Sequence, residues 1–273
     1  MKSRLKWLDS GCITSPLGFR AAGIHAGIKK KNDVKDLALL VSDTPAVAAG
    51  VFTLNEVKAA PVLLCKRSIA RKKPMRAVVV NSGCANACTG ERGMRDAERT
   101  TELAAQALNV AAASILVCST GTIGKKLPMA AFEKGLPLAV SALSRKGGHD
   151  AARAIMTTDT KPKEVAARIL VDGRPVIIGG MAKGAGMIHP NMATLLVFIS
   201  TDAAVQTSAL GSCLKAAADH SFNCISVDGD QSTNDTLLIL ANGAAGNRPL
   251  GPKHPSWKSF CSAVADVCLK LAL

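Results

Sequence analysis

The chain contains no tyrosine, and six phenylalanines with two tryptophans make up its whole aromatic complement. Proteins that hold single-stranded nucleic acid stack bases on aromatic rings, so the formal net charge of +14 does not by itself point to nucleic acid. Acidic residues are scarce too, 20 against 34 lysines and arginines. The surplus cations cluster at Lys29-Lys30-Lys31, Lys66-Arg67 and Arg71-Lys72-Lys73, in turn-like segments, and read as solvated loop charge that steers acidic small molecules. Long apolar runs are missing: stretches such as Leu195 to Ile199 stop far short of the roughly eighteen residues of a membrane span, so no membrane partner is expected. Paired C-x-x-C spacing is missing as well. Nine cysteines, an odd number, argue against a disulfide framework and a zinc ribbon, and most read as reduced, buried small hydrophobes. Cys84 and Cys88 lack histidines at metal-ligand spacing, so no metal site is expected. The basic start, Met1 to Ser10, has no continuous apolar core, which argues against a secretory signal and makes the cytoplasm the expected location.

What is present is a globular composition, 48% hydrophobic and 20% charged, in 273 residues that can bury one large core or two smaller ones. Periodicity predicts strands over Asp36–Val41, Ala48–Phe52, Arg76–Val80, Ile115–Cys118, Thr194–Ile199, Cys224–Val227 and Thr236–Leu240. It predicts a hairpin over Val165–Ile178 that turns at Asp172-Gly173. Apolar spacings of three and four predict helices over Arg95–Leu108, Pro128–Leu143, Ser208–His220 and Pro255–Leu271. In the last of these Trp257, Phe260, Val264, Val267 and Leu271 form a core stripe. The mixture predicts an α/β or α+β layered fold with helices covering mixed sheets. A dinucleotide fold is not expected, because no G-x-G-x-x-G links a strand to a helix, and the glycines around Lys183 lack P-loop spacing.

Between that glycine-rich basic loop and an apolar strand stands one hydroxyl residue, Thr194. If the Ala193–Thr194 bond were cut, Thr194 would carry a hydroxyl and a free α-amine on one residue, and the amine could act as the hydroxyl's base. An ordinary threonine opening a strand is the plainer alternative. Other segments are equally two-sided on local grounds. Ser119 to Gly124 is a turn or a donor-bearing strand end. Lys183 is a solvated loop lysine or a partner for a substrate carboxylate. Asp159 with Thr157, Thr158 and Thr160 caps a turn or contacts substrate. Asn81 to Gly90 reads as a tight loop near the site, with no specific role. Val227 to Asp235 alternates like a calcium loop, but it lacks glycine at the sixth position and glutamate at the twelfth, so Asx and hydroxyl turns are expected instead. His189 reads as a loop residue.

Seven stretches in order resemble one family: Gly18 to Gly23, Ala59 to Pro61, Asn81 to Gly90, Ser119 to Gly124, Met156 to Thr160, Gly180 to Leu195 and Val227 to Asp235. The chain is similar to the bifunctional arginine-biosynthesis family ArgJ, the ornithine acetyltransferases and glutamate N-acetyltransferases. The resemblance covers nearly everything from about Ile13 onward. It implies an N-terminal-nucleophile architecture and self-cleavage at Ala193–Thr194, giving an amino-terminal chain of residues 1–193 and a second chain opening at Thr194 and running to residue 273. It implies acetyl transfer from N2-acetyl-L-ornithine to L-glutamate through an acetyl-threonine ester on Thr194, with acetyl-CoA a second donor in some members and no other cofactor. Thr120 and Gly121 match the oxyanion-stabilising pair, and Lys183 and Thr157 match substrate contacts. The implied assembly is a heterotetramer of two copies of each fragment.

Members of the family run well past the point where this sequence stops, and the final Leu269 to Leu273 is still in a helical apolar pattern without a cap. The second fragment is therefore expected to be incomplete, with part of the substrate site missing. The alternatives carried forward are an autoprocessing aminopeptidase or amidase with a related nucleophile, and an inactive remnant.

Overall fold

The computed structural model describes residues 5–31, 33–185, 195–224 and 232–273. Among them the strands are β1 Lys6–Trp7, β2 Phe19–Ile24, β3 Leu37–Phe52, β4 Met75–Cys84, β5 Ile115–Thr122, β6 Lys163–Val171, β7 Arg174–Lys183, β8 Leu196–Thr201 and β9 Thr236–Ala241. The helices are α1 Ala60–Ala70, α2 Gly90–Leu108, α3 Met129–Ser141, α4 Gly148–Ala154, α5 Thr207–Asp219 and α6 Trp257–Ala272.

β3 organises the rest because it belongs to two sheets. Its first half pairs antiparallel with β2 and β4, and β5 joins β4 in parallel. Its second half pairs antiparallel with β9, which continues through parallel β8 to antiparallel β7, β6 and β1. The polar stretch Ser42 to Pro45 suggested a break between two strands. In fact the strand continues, and the register shifts between Val41 and Ala46, where it passes from one sheet to the other; such an irregularity also admits Pro45.

Side-chain alternation sorts the core into layers. Ala38, Leu40, Val78, Val80 and Leu116 of the first sheet face Met181, Leu196, Phe198, Leu238 and Leu240 of the second. Their neighbours Leu39, Val79 and Val117 turn the other way onto α1, α2 and α3, through Leu64, Ala104 and Leu136. On the far side Val197, Ile199, Leu237 and Ile239 pack against Leu210 and Leu214 of α5 and Phe260, Val264 and Val267 of α6. The molecule is thus a sandwich of helices, sheet, sheet, helices, in agreement with the layered α/β fold expected. Each sheet is covered on both faces, so the central strands read as unbroken apolar runs rather than strict alternations.

The hairpin turns at Asp172-Gly173 as expected, with both residues at positive φ (52° and 76°), the combination a type I′ turn requires. Its arms run further, to Lys163 and Lys183. The α6 stripe is buried as expected at Phe260, Val264, Val267 and Leu271, with Trp257 packed at its edge. Several expectations are corrected. Lys66 and Arg67 lie within α1, not in a turn. α2 begins at Gly90, because the polar Gly90 to Gly93 turn hides the apolar period. β4 continues to Cys84 and β5 to Thr122, past the residues that read as loop. The strand expected over Cys224–Val227 is at its first residue a short 3₁₀ turn, Phe222–Cys224, while 225–227 lie outside the described residues. Cys65, Cys84, Cys118, Cys213 and Cys268 are buried, and Cys88 and Cys224 are exposed. No helix among the described residues is long and apolar enough to cross a membrane.

Candidate active site

The two sheets meet at one end in a cleft of about 590 Å³. The first sheet supplies Gly83 from β4 and Thr120 and Gly121 from β5, both at the carboxyl ends of parallel strands. The second supplies Lys183 from the end of β7 and Ser232 to Asn234 from the segment that leads into β9. Lys29, Thr157 and Thr158 complete the wall. Thr120, Gly121, Thr157 and Lys183, singled out in the sequence, are therefore brought together from residues up to 63 apart. Ala193, Thr194 and His189 lie outside the described residues.

Gly121 is fixed by geometry. Its φ is +130°, and it pairs in parallel with Gly83; a Cβ placed on it would stand 2.4 Å from the Gly83 carbonyl carbon and 2.6 Å from the Cys84 nitrogen. Only glycine at position 121 allows this approach, while Gly83, at a φ of +105°, faces Lys29 and Ile28. The neighbouring Thr120 is nearly buried, and its Oγ1 accepts from the Lys183 ammonium at 3.2 Å. A hydroxyl that accepts from a lysine keeps its own proton free to donate elsewhere. Lys183 is only 4% exposed, and burial lowers its pKa, against the carboxylates of Asp159 and Asp235, which favour its charged form.

Asp159 joins two walls of the cleft, because its carboxylate accepts from Gly184 N at 2.7 Å and from Thr157 N at 3.1 Å. Burial alone would raise its pKa, but those two N–H groups with Lys183 and Lys163 outweigh it and hold the carboxyl low. The turn-capping role expected for Asp159 is therefore present, and it carries Thr157 into the site.

Sequence reasoning missed several members. Lys29, grouped with solvated loop charge, is instead half-buried in the cleft, where its ammonium donates to Met156 O at 2.7 Å and burial lowers its pKa. Asn234 holds the two sheets together: its Nδ2 donates to Ala85 O at 2.7 Å and to Ser119 O at 2.8 Å. The Asx and hydroxyl turn expected here is present, with Asn234 N donating to Ser232 Oγ at 3.1 Å. Asn234→Ala leaves two buried carbonyls without a donor, at about 1–3 kcal/mol each. A thermal melt should fall by several degrees; an unchanged midpoint would contradict the bridging role. Asp235, 1% exposed, accepts from Leu195 N at 3.1 Å, and Leu196 pairs opposite Lys183. Local patterns could not have flagged these residues, since each acts through a partner far away in sequence.

Residues 20–273 match the model of the ArgJ family. The chain belongs to the ArgJ family. A curated relative, the arginine biosynthesis bifunctional protein ArgJ of Symbiobacterium thermophilum, is 54% identical over 269 residues, which is 98% of this chain and 66% of the relative. The chain thus spans about two thirds of the length of the curated ArgJ proteins it matches. The crystal structure of an ornithine acetyltransferase from Mycobacterium tuberculosis, complexed with ornithine, is 41% identical with a TM-score of 0.63, over 71% of this chain and 100% of that one. An L-aminopeptidase D-Ala-esterase/amidase from Ochrobactrum anthropi, described as a variant of the Ntn hydrolase fold, covers 98% of this chain and 86% of its own at a TM-score of 0.62. At 11% identity it shows the fold alone. The N-terminal-nucleophile architecture that the ArgJ resemblance implied is therefore the fold observed.

Proposed function

We propose that this ArgJ chain moves acetyl groups from N2-acetyl-L-ornithine to L-glutamate through an ester on Thr194. The observation that carries the reading is the junction at the cleft. β8 opens two residues after Thr194, its first residue pairs with Lys183, and Lys183 donates to Thr120. The described chain resumes at Leu195, the residue that follows Thr194 in sequence, just before the strand that pairs with Lys183, which supports Thr194 as the nucleophile.

In this reading Thr194 Oγ attacks the Ala193 carbonyl, the bond to the Thr194 nitrogen breaks, and water releases residues 1–193. The freed α-amine then takes the hydroxyl proton, and Oγ attacks the acetyl carbonyl of N2-acetyl-L-ornithine. The free proton of Thr120 and the Gly121 N–H meet the developing oxyanion. Ornithine leaves with the proton, and the glutamate amine attacks the acetyl-threonine. Lys183 and Thr157 bind substrate, and Lys29 adds a second cation suited to an amino-acid carboxylate. Nucleophile, base and donors all come from the chain, with no cofactor; acetyl-CoA is an alternative donor.

The sheet would keep the fragments together after cleavage, because β8 lies between β7 of the first fragment and β9 of the second, and β9 pairs with β3. Two copies of each fragment form the proposed heterotetramer, working in the cytoplasm. A length match supports the cut: 71% of 273 residues is about 194, and that portion accounts for the whole of the solved ornithine acetyltransferase chain. The test is transfer of labelled acetyl from N2-acetyl-L-ornithine to glutamate. Label in N-acetylglutamate supports the reading. Hydrolysis of amino-terminal peptide bonds without transfer would favour the aminopeptidase alternative, and neither activity would favour a remnant.

A further inference from the structure

Lys29 and Lys183 both line the cleft, and the proposed donor has one carboxylate where the proposed acceptor has two. Lys183 enters from the second sheet and donates to Thr120, beside the proposed oxyanion donors. Lys29 enters from the first sheet, on the loop that follows β2. Its ammonium is held in place, donating to Met156 O at 2.7 Å and to Lys35 O at 3.2 Å. Its stem lies against Gly83, where an added Cβ would stand 2.9 Å from Lys29 Cγ. The side chain thus occupies room that a larger residue at position 83 would take.

Asp36 holds the backbone that carries Lys29. This fully buried carboxylate accepts from Ala26 N at 2.6 Å, Ile28 N at 2.7 Å and Lys29 N at 2.9 Å. Asp36 is itself tied to the first sheet, since its N–H donates to Ile24 O at 2.8 Å and its carbonyl accepts from Ser82 N at 2.9 Å, next to Gly83. A lysine stem loses much rotamer freedom when it is held still. Here the fold orders it before substrate arrives, which lowers the cost of binding.

We propose that Lys29 is the specificity-determining residue for the acceptor: its ammonium takes the side-chain carboxylate of glutamate, while Lys183 takes the α-carboxylate that donor and acceptor share. This deepens the proposed acetyl transfer and rests on it. Donor and acceptor react through the same α-nitrogen, so their α-carboxylates fall at one place and only their side chains tell them apart. At Lys29 a carboxylate is attracted, and the side-chain ammonium of ornithine is repelled. Released ornithine is therefore a poor competitor for the acetyl group, and glutamate a good one. Lys29 itself makes and breaks no bond.

The electrostatics agree. Burial lowers the Lys29 pKa, while Asp36 and Asp159 favour its ammonium form, as an arriving carboxylate would. Asp36 spends its carboxylate on backbone N–H groups, and Asp159 does the same at Gly184 and Thr157. Among the described residues the atoms bonded to the ammonium are two uncharged carbonyls, so no carboxylate has to be displaced.

The experiment compares wild type, Lys29→Met and Lys29→Arg, with L-glutamate and the isosteric, uncharged L-glutamine as acceptors of acetyl from N2-acetyl-L-ornithine. Methionine keeps an unbranched stem beside Gly83 and removes the charge; a thermal melt checks the fold. Wild type should prefer glutamate in kcat/KM by at least about tenfold, the scale of a hydrogen bond to a charged group. In Lys29→Met that preference should fall by about tenfold to a hundredfold, through a higher KM for glutamate. Lys29→Arg keeps the charge and should retain most of the preference. Glutamate and glutamine losing equally in Lys29→Met would put Lys29 on the shared α-carboxylate and overturn the inference. A wild type that does not distinguish the two acceptors overturns it without any variant. If wild type acetylates neither, the proposed transfer fails, and calorimetric titration of the same proteins with glutamate and glutamine decides the inference by itself. Tighter binding of glutamate to wild type, lost in Lys29→Met, supports it; equal binding of both to wild type overturns it.

Discussion

Thr194→Ala is expected to run as one uncut band on a denaturing gel and to lose acetyl transfer by at least about 10⁴-fold, the scale seen when the nucleophile of a covalent mechanism is removed. In the proposed mechanism the variant removes the hydroxyl that attacks both carbonyls, the peptide at Ala193 and the acetyl group, so both effects should appear together. Thr194→Ser keeps hydroxyl and amine on one residue and should still yield two fragments. The fold should survive either change, because β8 begins at Leu196 and its pairing with β7 and β9 starts beyond the substituted side chain. Cleavage persisting in Thr194→Ala would remove Thr194 from the mechanism.

The second large effect is expected at Gly121→Ala. The new methyl would enter backbone atoms of Gly83 and Cys84 at 2.4–2.7 Å, at a φ of +130°. A strained φ costs about 1–3 kcal/mol, and overpacking adds about 1–3 kcal/mol. Relief requires β5 to part from β4 at the residue beside Thr120, so transfer should also fall by about 10²–10³-fold, as on loss of one oxyanion donor. Gly124→Ala is the control. It too has positive φ, +78°, but nothing lies within 4 Å of the added atom. Its effect on transfer should be small; equal losses in the two variants would show that φ strain and not close approach is responsible.

Much of the layered fold was legible because its signals are local. The hairpin announced itself by Asp172-Gly173, α6 by a stripe at helical spacing, and β9 by an unbroken apolar run. The long β3 was not, since Ser42 to Pro45 breaks the pattern and only pairing with two sheets shows that the strand continues. α4 and β2 also escaped: they are rich in small residues such as Ala151 and Ala21, whose burial is set by close packing and not by periodic hydrophobicity.

The site divides in the same way. Thr120, Gly121, Thr157 and Lys183 were found through their resemblance to family motifs, and the structure puts them around one cleft. Lys29 could not be told from Lys30 and Lys31 until its ammonium was seen bonded to Met156. Asn234 and Asp235 looked like turn formers because their neighbours are. Their reach to Ala85, Ser119 and Leu195 is a product of how the two sheets meet.

The central claim is that one residue carries both the reactive hydroxyl and its base. Freshly purified protein is mixed with N2-acetyl-L-ornithine and quenched, and the mass and amino-terminal sequence of the smaller fragment are read. A fragment that begins at Thr194 and carries one acetyl group on that residue is the predicted result. An uncut chain that still transfers acetyl, or an acetyl group on any other residue, would contradict it.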